Sequence, residues 1–583
     1  MARYRDEGFL EARVAGPFVR MEERNRLATV ELRMAEGPRA WIRGVEFLGA
    51  EALEPGQLAS SLVREGRPLS ERRVMEHRIE LQSRYGRQGY LYALVEAEIV
   101  RPASEPESAT VRYYVHEGPQ VRVGEILVQG AHRTQPWVIR QTLGIAEGEV
   151  LSSDRIASAQ QGLMRMGLFR AVSVRTLDPD LPEPVKDLVV EVSERNSRSL
   201  EVGGGISVAD GPRAFVEYRD RNILGRNLQL VLRGRVNHQI FRDDVREMPI
   251  EDGVERDLQA GLRFPRIWGV DLPIGWHFDL THERDIRLAY NLYRNSVLMG
   301  FEFPFARRLQ GTLRFELESN QIEQSSRFDA LYGPLSRTDL ERLRFPDGEV
   351  LLGSVRPGLF LDLRDDLANP RRGLSARVEA DFAQNLGGST SVDFLKLSGT
   401  LTGYIPLWER SALVLSGSGG KVFHLREDSV SIPPKRFYLG GAGTIRGWAE
   451  DAVVPQDRRA ALRQELADCQ ALLFRSGCTQ QARFLDAGRA VPSEGGELFV
   501  LARAEFRFPL YGNLMGGLFL DAGNLWLEMP ETILLEELRS AAGFGLRYAT
   551  PVGPIAFDLG FNLAPDRTIG EPPVSAHFSV GLF

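Results

Sequence analysis

Gly517-Leu518-Phe519-Leu520-Asp521-Ala522-Gly523-Asn524-Leu525-Trp526 is the stretch on which the fold turns. Side chains of a strand alternate between two faces, so Leu520 and Ala522 point one way and Asp521 the other. A strand with lipid on one side and a polar lumen on the other has this pattern. Leu228, Leu230 and Leu232 against Gln229, Val231 and Arg233 show the same tendency. Outward from there, short alternating stretches separated by Gly, Asn and Asp fill residues 199–583. At about 24 residues per strand and connection, this length supplies about 16 strands. The expected fold is a transmembrane β-barrel of about 16 antiparallel strands, the first near residues 200–208 and the last near 574–583. Aromatics near strand ends, Phe264, Trp268, Phe303, Phe305, Phe508 and Tyr511, suit girdles at the membrane interfaces.

Composition narrows the alternatives. The chain has 583 residues, 43% of them apolar, and no apolar run of about 18 residues that could span a bilayer as a helix. A soluble propeller would repeat at about 40 residues with a blade signature, and none is present. The net charge of −7 comes from 79 acids interspersed with 72 bases. No basic block follows a phosphate backbone, so no nucleic-acid partner is expected. The start, Met1-Ala2-Arg3-Tyr4-Arg5-Asp6-Glu7, lacks an export signal, which for a membrane barrel implies a mature or truncated chain. Cys469 and Cys478 lie close together in a polar segment, either paired in an oxidising compartment or as two surface thiols. There is no nucleophile elbow, metal-ligand cluster or phosphate loop, so no enzyme activity, cofactor or metal is expected.

Up to about residue 195 the chain is charged and mixes helical with strand periodicity, and a pattern recurs at about 75–80 residues. The first copy has a strand at 41–49, helices near 58–63 and 71–85, with Val74, Ile79 and Leu81 at helical spacing, and strands at 93–100 and 110–117. The second repeats the order with a strand at 123–130, helices at 137–143 and 153–166, and strands at 172–177 and 187–192. Residues 1–38 match the last part of the same unit, with strands at 12–14 and 28–34, so the chain is expected to begin inside a third copy. This β-α-α-β-β order resembles the POTRA domain. The resulting division is 1–38, 39–119, 120–196 and a barrel over 197–583. A small mixed sheet has an edge whose unpaired backbone can add a strand from another chain without reading its sequence.

The segment Arg436-Phe437-Tyr438-Leu439-Gly440-Gly441-Ala442-Gly443-Thr444-Ile445-Arg446-Gly447-Trp448 carries a sharper signal. Gly440-Gly441, a gap of two further residues and Thr444, then Ile445-Arg446-Gly447-Trp448, resembles the loop motif of the BamA and TamA superfamily of barrels, where the long outer loop folds back into the lumen. The resemblance also implies that an Asp in a Phe-x-Asp-x-Gly strand, here Phe519, Asp521 and Gly523, receives the loop arginine. Arg446 and Asp521 are therefore expected to pair. The hairpin Asp362–Gly373, with Asn369-Pro370 and Arg372-Gly373, resembles one in the same family, and Arg221-Asn222-Ile223-Leu224-Gly225 and Pro551-Val552-Gly553-Pro554-Ile555 are further matches. The loop, at about 433–497, includes an insertion with a helical stretch at 457–467 and both cysteines. Some assembly factors carry a cysteine pair there, so the resemblance implies a Cys469–Cys478 disulfide.

Closure requires the first strand to pair with the last. Gly203, Gly204 and Gly205 in the first strand are expected to pack poorly and to lose more entropy on ordering, weakening the seam. Ala576, Phe578, Val580 and Leu582 form the apolar face of the last strand, and the terminal Phe583 falls out of phase. What the resemblance implies is an assembly factor in a bacterial outer membrane. Its periplasmic POTRA domains would receive unfolded β-barrel clients, its seam would insert them into the bilayer, and chaperones and accessory lipoproteins would be further partners. The rivals are a TamA-like module and a two-partner secretion translocator exporting one dedicated substrate.

Overall fold

The computed structural model describes residues 2–22, 27–208, 210–238, 253–265, 274–286, 290–324, 348–367, 369–388, 390–471, 478, 482, 485–486, 493–550 and 553–581. Two compact units emerge, Met1–Asn196 with Leu224–Asn227, and Ser197–Ile223 with Leu228–Phe583.

In the first unit, α1 (Ala2–Asp6) and a hairpin of β1 (Arg13–Glu22) and β2 (Leu27–Ala35) precede two small mixed sheets. In the first sheet β3 (Trp41–Leu48) runs parallel to the central β5 (Ser108–His116), and β4 (Leu94–Val100) is antiparallel to it. α2 (Pro55–Leu58) and α3 (Glu71–Arg87) lie between β3 and β4 in the chain. The Ser70 hydroxyl caps α3 by accepting from the Arg73 N–H. Val74, His77, Leu81 and Tyr85 form its buried stripe, and Val74, Leu81 and Tyr85 join Ile42, Val95, Val111 and Tyr113 in the core. Ile79, expected on this face, is 56% exposed. It stands two residues from both His77 and Leu81, on the opposite side of a 3.6-residue turn. The helix expected at 58–63 also differs: α2 ends at Leu58, Ala59 is extended, and the Ser60 hydroxyl accepts from the Leu62 N–H, offering the backbone a turn instead.

The second sheet repeats the first, with β6 (Arg122–Gln129), α4 (Pro136–Leu143), α5 (Ser153–Arg165), β7 (Phe169–Thr176) and β8 (Val185–Glu194) in the strand order β6-β8-β7. Two devices recur in both. Gly49 and Gly130 follow the first strand at φ +79° and +80°, where a Cβ would lie 2.4 and 2.0 Å from the carbonyls of Val115 and Val192. Glu117 and Glu194 follow or end the last strand and accept backbone N–H groups from the turn beyond that glycine. Glu117 takes Glu51 and Ala52, and Glu194 takes His132, Arg133 and Thr134.

The second unit is a closed barrel of sixteen described strands, from β9 (Arg198–Ser207) to β24 (Val574–Gly581), each antiparallel to the next. Register shows how one sequence serves two solvents. Leu232, Ala260, Leu280, Val297 and Leu317 stand side by side on neighbouring strands as an apolar row on the outer face. On the inner face the row is Arg235, Asp257, Glu283, Arg294 and Asn320, with Arg235–Asp257 at 3.4 Å and Arg294–Glu283 at 3.1 Å. At one rim Phe264 stacks on Trp276 with centroids 3.8 Å apart. Trp268, expected in the same girdle, lies outside the described residues.

Candidate functional site

Between β19 (Ala412–His424) and β20 (Leu498–Tyr511) the chain leaves the wall and returns against its inner face. Two positive-φ glycines start the return, Gly440 at +116° and Gly441 at +91°. At Gly440 a Cβ would stand 2.2 Å from the Ala449 carbonyl, so the turn requires glycine. The Thr444 hydroxyl fastens the turn, accepting from the Gly440 N–H at 2.8 Å and donating to the Gly440 carbonyl at 2.7 Å. Leu439, Ile445, Trp448 and Val453 then bury themselves against Leu501, Leu525 and Ala541 of the wall.

This turn delivers Arg446, 1% exposed, to Asp521 on β21 (Leu514–Trp526), which is fully enclosed. Arg446 Nε and Nη2 donate to the two carboxylate oxygens at 2.8 Å each, and its backbone N–H reaches the same group at 3.2 Å. Nη1 donates to Glu505 at 2.9 Å, and the guanidinium lies 3.5 Å from the Phe519 ring centroid. Phe519 shares the inward face of Asp521 by strand alternation, and its cross-strand neighbour Gly543 leaves room for the ring, which a Cβ there would meet at 2.5 Å. Gly523 admits the Val500 carbonyl 2.5 Å from where its Cβ would be. Enclosed charges are retained when pairing and hydrogen bonds offset their desolvation, and a bidentate fork with a third donor does that here.

The structure thus brings together Gly440, Gly441, Ile445, Arg446, Gly447, Trp448, Phe519, Asp521 and Gly523. It adds residues that sequence reasoning missed. Arg503, cross-strand partner of Asp521, donates to it at 3.4 Å and to the Gly443 carbonyl at 2.6 Å. Glu505, two residues on, takes Arg446, and Asp558 on β23 (Gly553–Asn562) pairs with Arg547 at 2.6 Å and stands 3.9 Å from Arg446. His577 on β24 donates to the Arg446 carbonyl at 3.1 Å. The available signal was charge at alternate positions of β20, Arg503, Glu505 and Arg507.

A second anchor lies elsewhere on the wall: Lys435 at the loop's start pairs with the enclosed Glu318 of β15 (Leu309–Gln324). The insertion carries α6 (Gln456–Ala471), held by Arg459 and Arg463 on Asp566, and Cys469 is bonded to Cys478.

The seam is the junction of β24 with β9. β24 meets β9 at Ser579↔Ser207, Val580↔Ile206 and Gly581↔Gly205, with one further bond from the Val208 N–H to the Phe578 carbonyl. On its other side β9 pairs with β10 (Gly211–Ile223) along its whole length, from Gly211↔Ser207 to Asp220↔Arg198. The seam is therefore staggered, and residues 198–204 and 574–577 lie outside its described ladder. Gly203 departs from the expectation of poor packing: it seats the Phe215 ring, which a Cβ would meet at 2.4 Å. Gly204 faces out and Gly205 enters the short ladder. Leu582 and Phe583 lie outside the described residues.

These features define a membrane β-barrel that holds its own outer loop in its lumen and is preceded by repeated small mixed sheets. Family models agree, with an Omp85 superfamily domain over residues 222–583 and the POTRA description, surface antigen variable number repeat, over 41–118 and 121–195. The chain belongs to the Omp85 superfamily. It is 22% identical to the outer membrane protein assembly factor BamA of Nitratidesulfovibrio vulgaris over 99% of this chain and 66% of that one. For the BamA of Neorickettsia risticii the values are 22%, 95% and 68%. The chain spans about two thirds of the length of these curated relatives. The crystal structure of BamA from Haemophilus ducreyi lacking POTRA domains 1–3 superimposes with a TM-score of 0.70 at 17% identity, covering 93% of this chain and 98% of that one.

Proposed function

We infer that the chain is an outer-membrane protein assembly factor, with its barrel in the bacterial outer membrane and its POTRA repeats in the periplasm. Relatives named as assembly factors rather than enzymes support this reading. The observation that carries the mechanism is the short staggered ladder between β24 and β9. Along residues 199–204 one edge of β9 lies outside the described ladder to β24, with Leu200 and Val202 66% and 75% exposed. Unpaired backbone in hydrocarbon costs several kcal/mol per group, and a client strand removes that cost by adding to the edge. Unfolded β-barrel clients reach it from the POTRA sheets, whose edge strands accept extended chain by the same chemistry. Periplasmic chaperones and accessory lipoproteins are the further partners of this reading. No catalytic group or cofactor takes part, and the lumenal loop with Arg446 on Asp521 holds the wall rigid while the seam works.

The test is a lock. Ser207 and Ser579 occupy a non-hydrogen-bonded pair, the type whose side chains approach most closely. Ser207→Cys with Ser579→Cys, oxidised in liposomes, should abolish insertion of an added client barrel, and reduction should restore it. The single-cysteine variants control for the native Cys469–Cys478 bond. Continued insertion by the locked barrel contradicts the reading.

A further inference from the structure

The inner face of β24 carries a contact with the buried loop that neither the short ladder nor the arginine–aspartate pair explains. His577 points into the lumen, opposite to the outward Phe578 and Ala576, and donates from Nε2 to the backbone carbonyl of Arg446 at 3.1 Å. The approach is built into the wall. Next to it on β23, Gly560 leaves room for that same carbonyl, which a Cβ would meet at 2.1 Å. Gly447 presses against Ala541 of β22 (Arg539–Thr550), where a Cβ would come within 2.8 Å. Loop backbone therefore touches three successive strands, and the last of them is the seam strand. Across the pair from His577 stands Asp558, itself held by Arg547. One residue of the loop thus joins two parts of the wall: the Arg446 side chain is fixed on β20 and β21, and its carbonyl is fixed on β24.

We propose that His577 is a positioning residue for the seam, holding β24 against the barrel from inside so that β24 leaves β9 only when the bond to the Arg446 carbonyl breaks. This rests on the reading of the seam as the working edge and adds the element that governs it. β24 is also held to β23 by seven ladder pairs, but across the described seam it has three, so one more hydrogen bond from behind is sizeable beside what the described residues place between β24 and β9. The bond also makes the loop and the seam one mechanical unit, because displacing the loop tip removes the strut from β24.

The experiment measures the seam without any client, so that its outcome is separate from the insertion assay. In liposomes holding the Ser207→Cys/Ser579→Cys protein, the rate of disulfide formation under a mild oxidant reports how much of the time the two strands are paired. His577→Leu removes the donor and should slow cross-linking about fivefold, the worth of one net hydrogen bond. His577→Gln keeps an N–H at the same reach and should restore most of the rate. Gly560→Ala, which pushes the carbonyl away from the other side, should slow it as His577→Leu does. Heat-modifiable gel migration establishes that each variant is a folded barrel. A rate in folded His577→Leu equal to that of the parent double-cysteine protein, or a His577→Gln rate as slow as His577→Leu, overturns the proposal. Loss of client insertion on locking, tested apart, bears on the seam reading alone.

Discussion

Asp521 is fully enclosed in the barrel wall, and the Arg446 fork, the Arg446 N–H and Arg503 all reach it. Removing one partner leaves the other buried and uncompensated, which costs about 3–5 kcal/mol. Arg446→Ala and Asp521→Ala should each lower the temperature at which the barrel loses heat-modifiable migration, and both should expose the loop to protease. Asp521→Asn should do less, since its amide oxygen still accepts. Half of this centre was legible in sequence. Alternation aimed Asp521 inward and the glycine motif marked Arg446, but Glu505, Asp558 and His577 come from strands whose register no single sequence displays. A second residue makes a pH prediction. His77 is buried between the Tyr113 hydroxyl at 2.9 Å and the Leu58 carbonyl at 3.0 Å. Burial lowers its pKa below the usual 6.5, against the Leu58 bond, which raises it. The unfolded chain therefore binds the extra proton first, so stability is full above about pH 6.5 and falls as pH drops towards the folded value. Amide exchange in α3, corrected for intrinsic rate, should quicken between pH 7.5 and 5.5, and His77→Gln should flatten the change.

At the scale of elements, the two sheets were readable because each repeats the same order of periods. The misfit at 58–63 came from serines that favour turns over helix, and the misplacement of Ile79 from reading apolar character without phase. Barrel strands proved longer than their alternation. β14 (Tyr290–Ala306) and β15 run 17 and 16 residues. Beyond the lipid both faces of a strand are polar, as at Asn320-Gln321 and Glu323-Gln324, so the two-residue contrast fades there. The recurring glycine and glutamate give this level its prediction. Gly130→Ala forces a side chain into φ +80° and against the Val192 carbonyl, costing at least about 1–2 kcal/mol from the backbone alone. Glu194→Ala removes the acceptor that the N–H groups of residues 132–134 share, a loss of about 1 kcal/mol since the exposed ones turn to water. Hydrogen exchange over β6 and β8 in the full chain should rise in both variants and remain unchanged over β3 and β5.

For the whole molecule, the number of strands followed from length and alternation, whereas the stagger at the seam did not. Sixteen strands fix that β24 must meet β9, but how far each slides is set by register accumulated around the barrel. Glycine content marked β9, yet Gly203 is well packed under Phe215, and the described ladder to β24 is confined to residues 205–207 of β9. The loop shows the same division. Its glycines and arginine were readable, while its second anchor, Lys435 on Glu318, depends on β15, more than a hundred residues earlier in the chain.

The central claim is that a client strand pairs with this edge. Single cysteines placed in turn at residues 199 to 204 of β9, with single cysteines along the last strand of a client arrested during assembly, measure it directly. The account predicts disulfides that advance residue by residue along β9, as a strand register requires, and that vanish once the client is released. Capture at lumen-facing positions of β15, with none along β9, would contradict it.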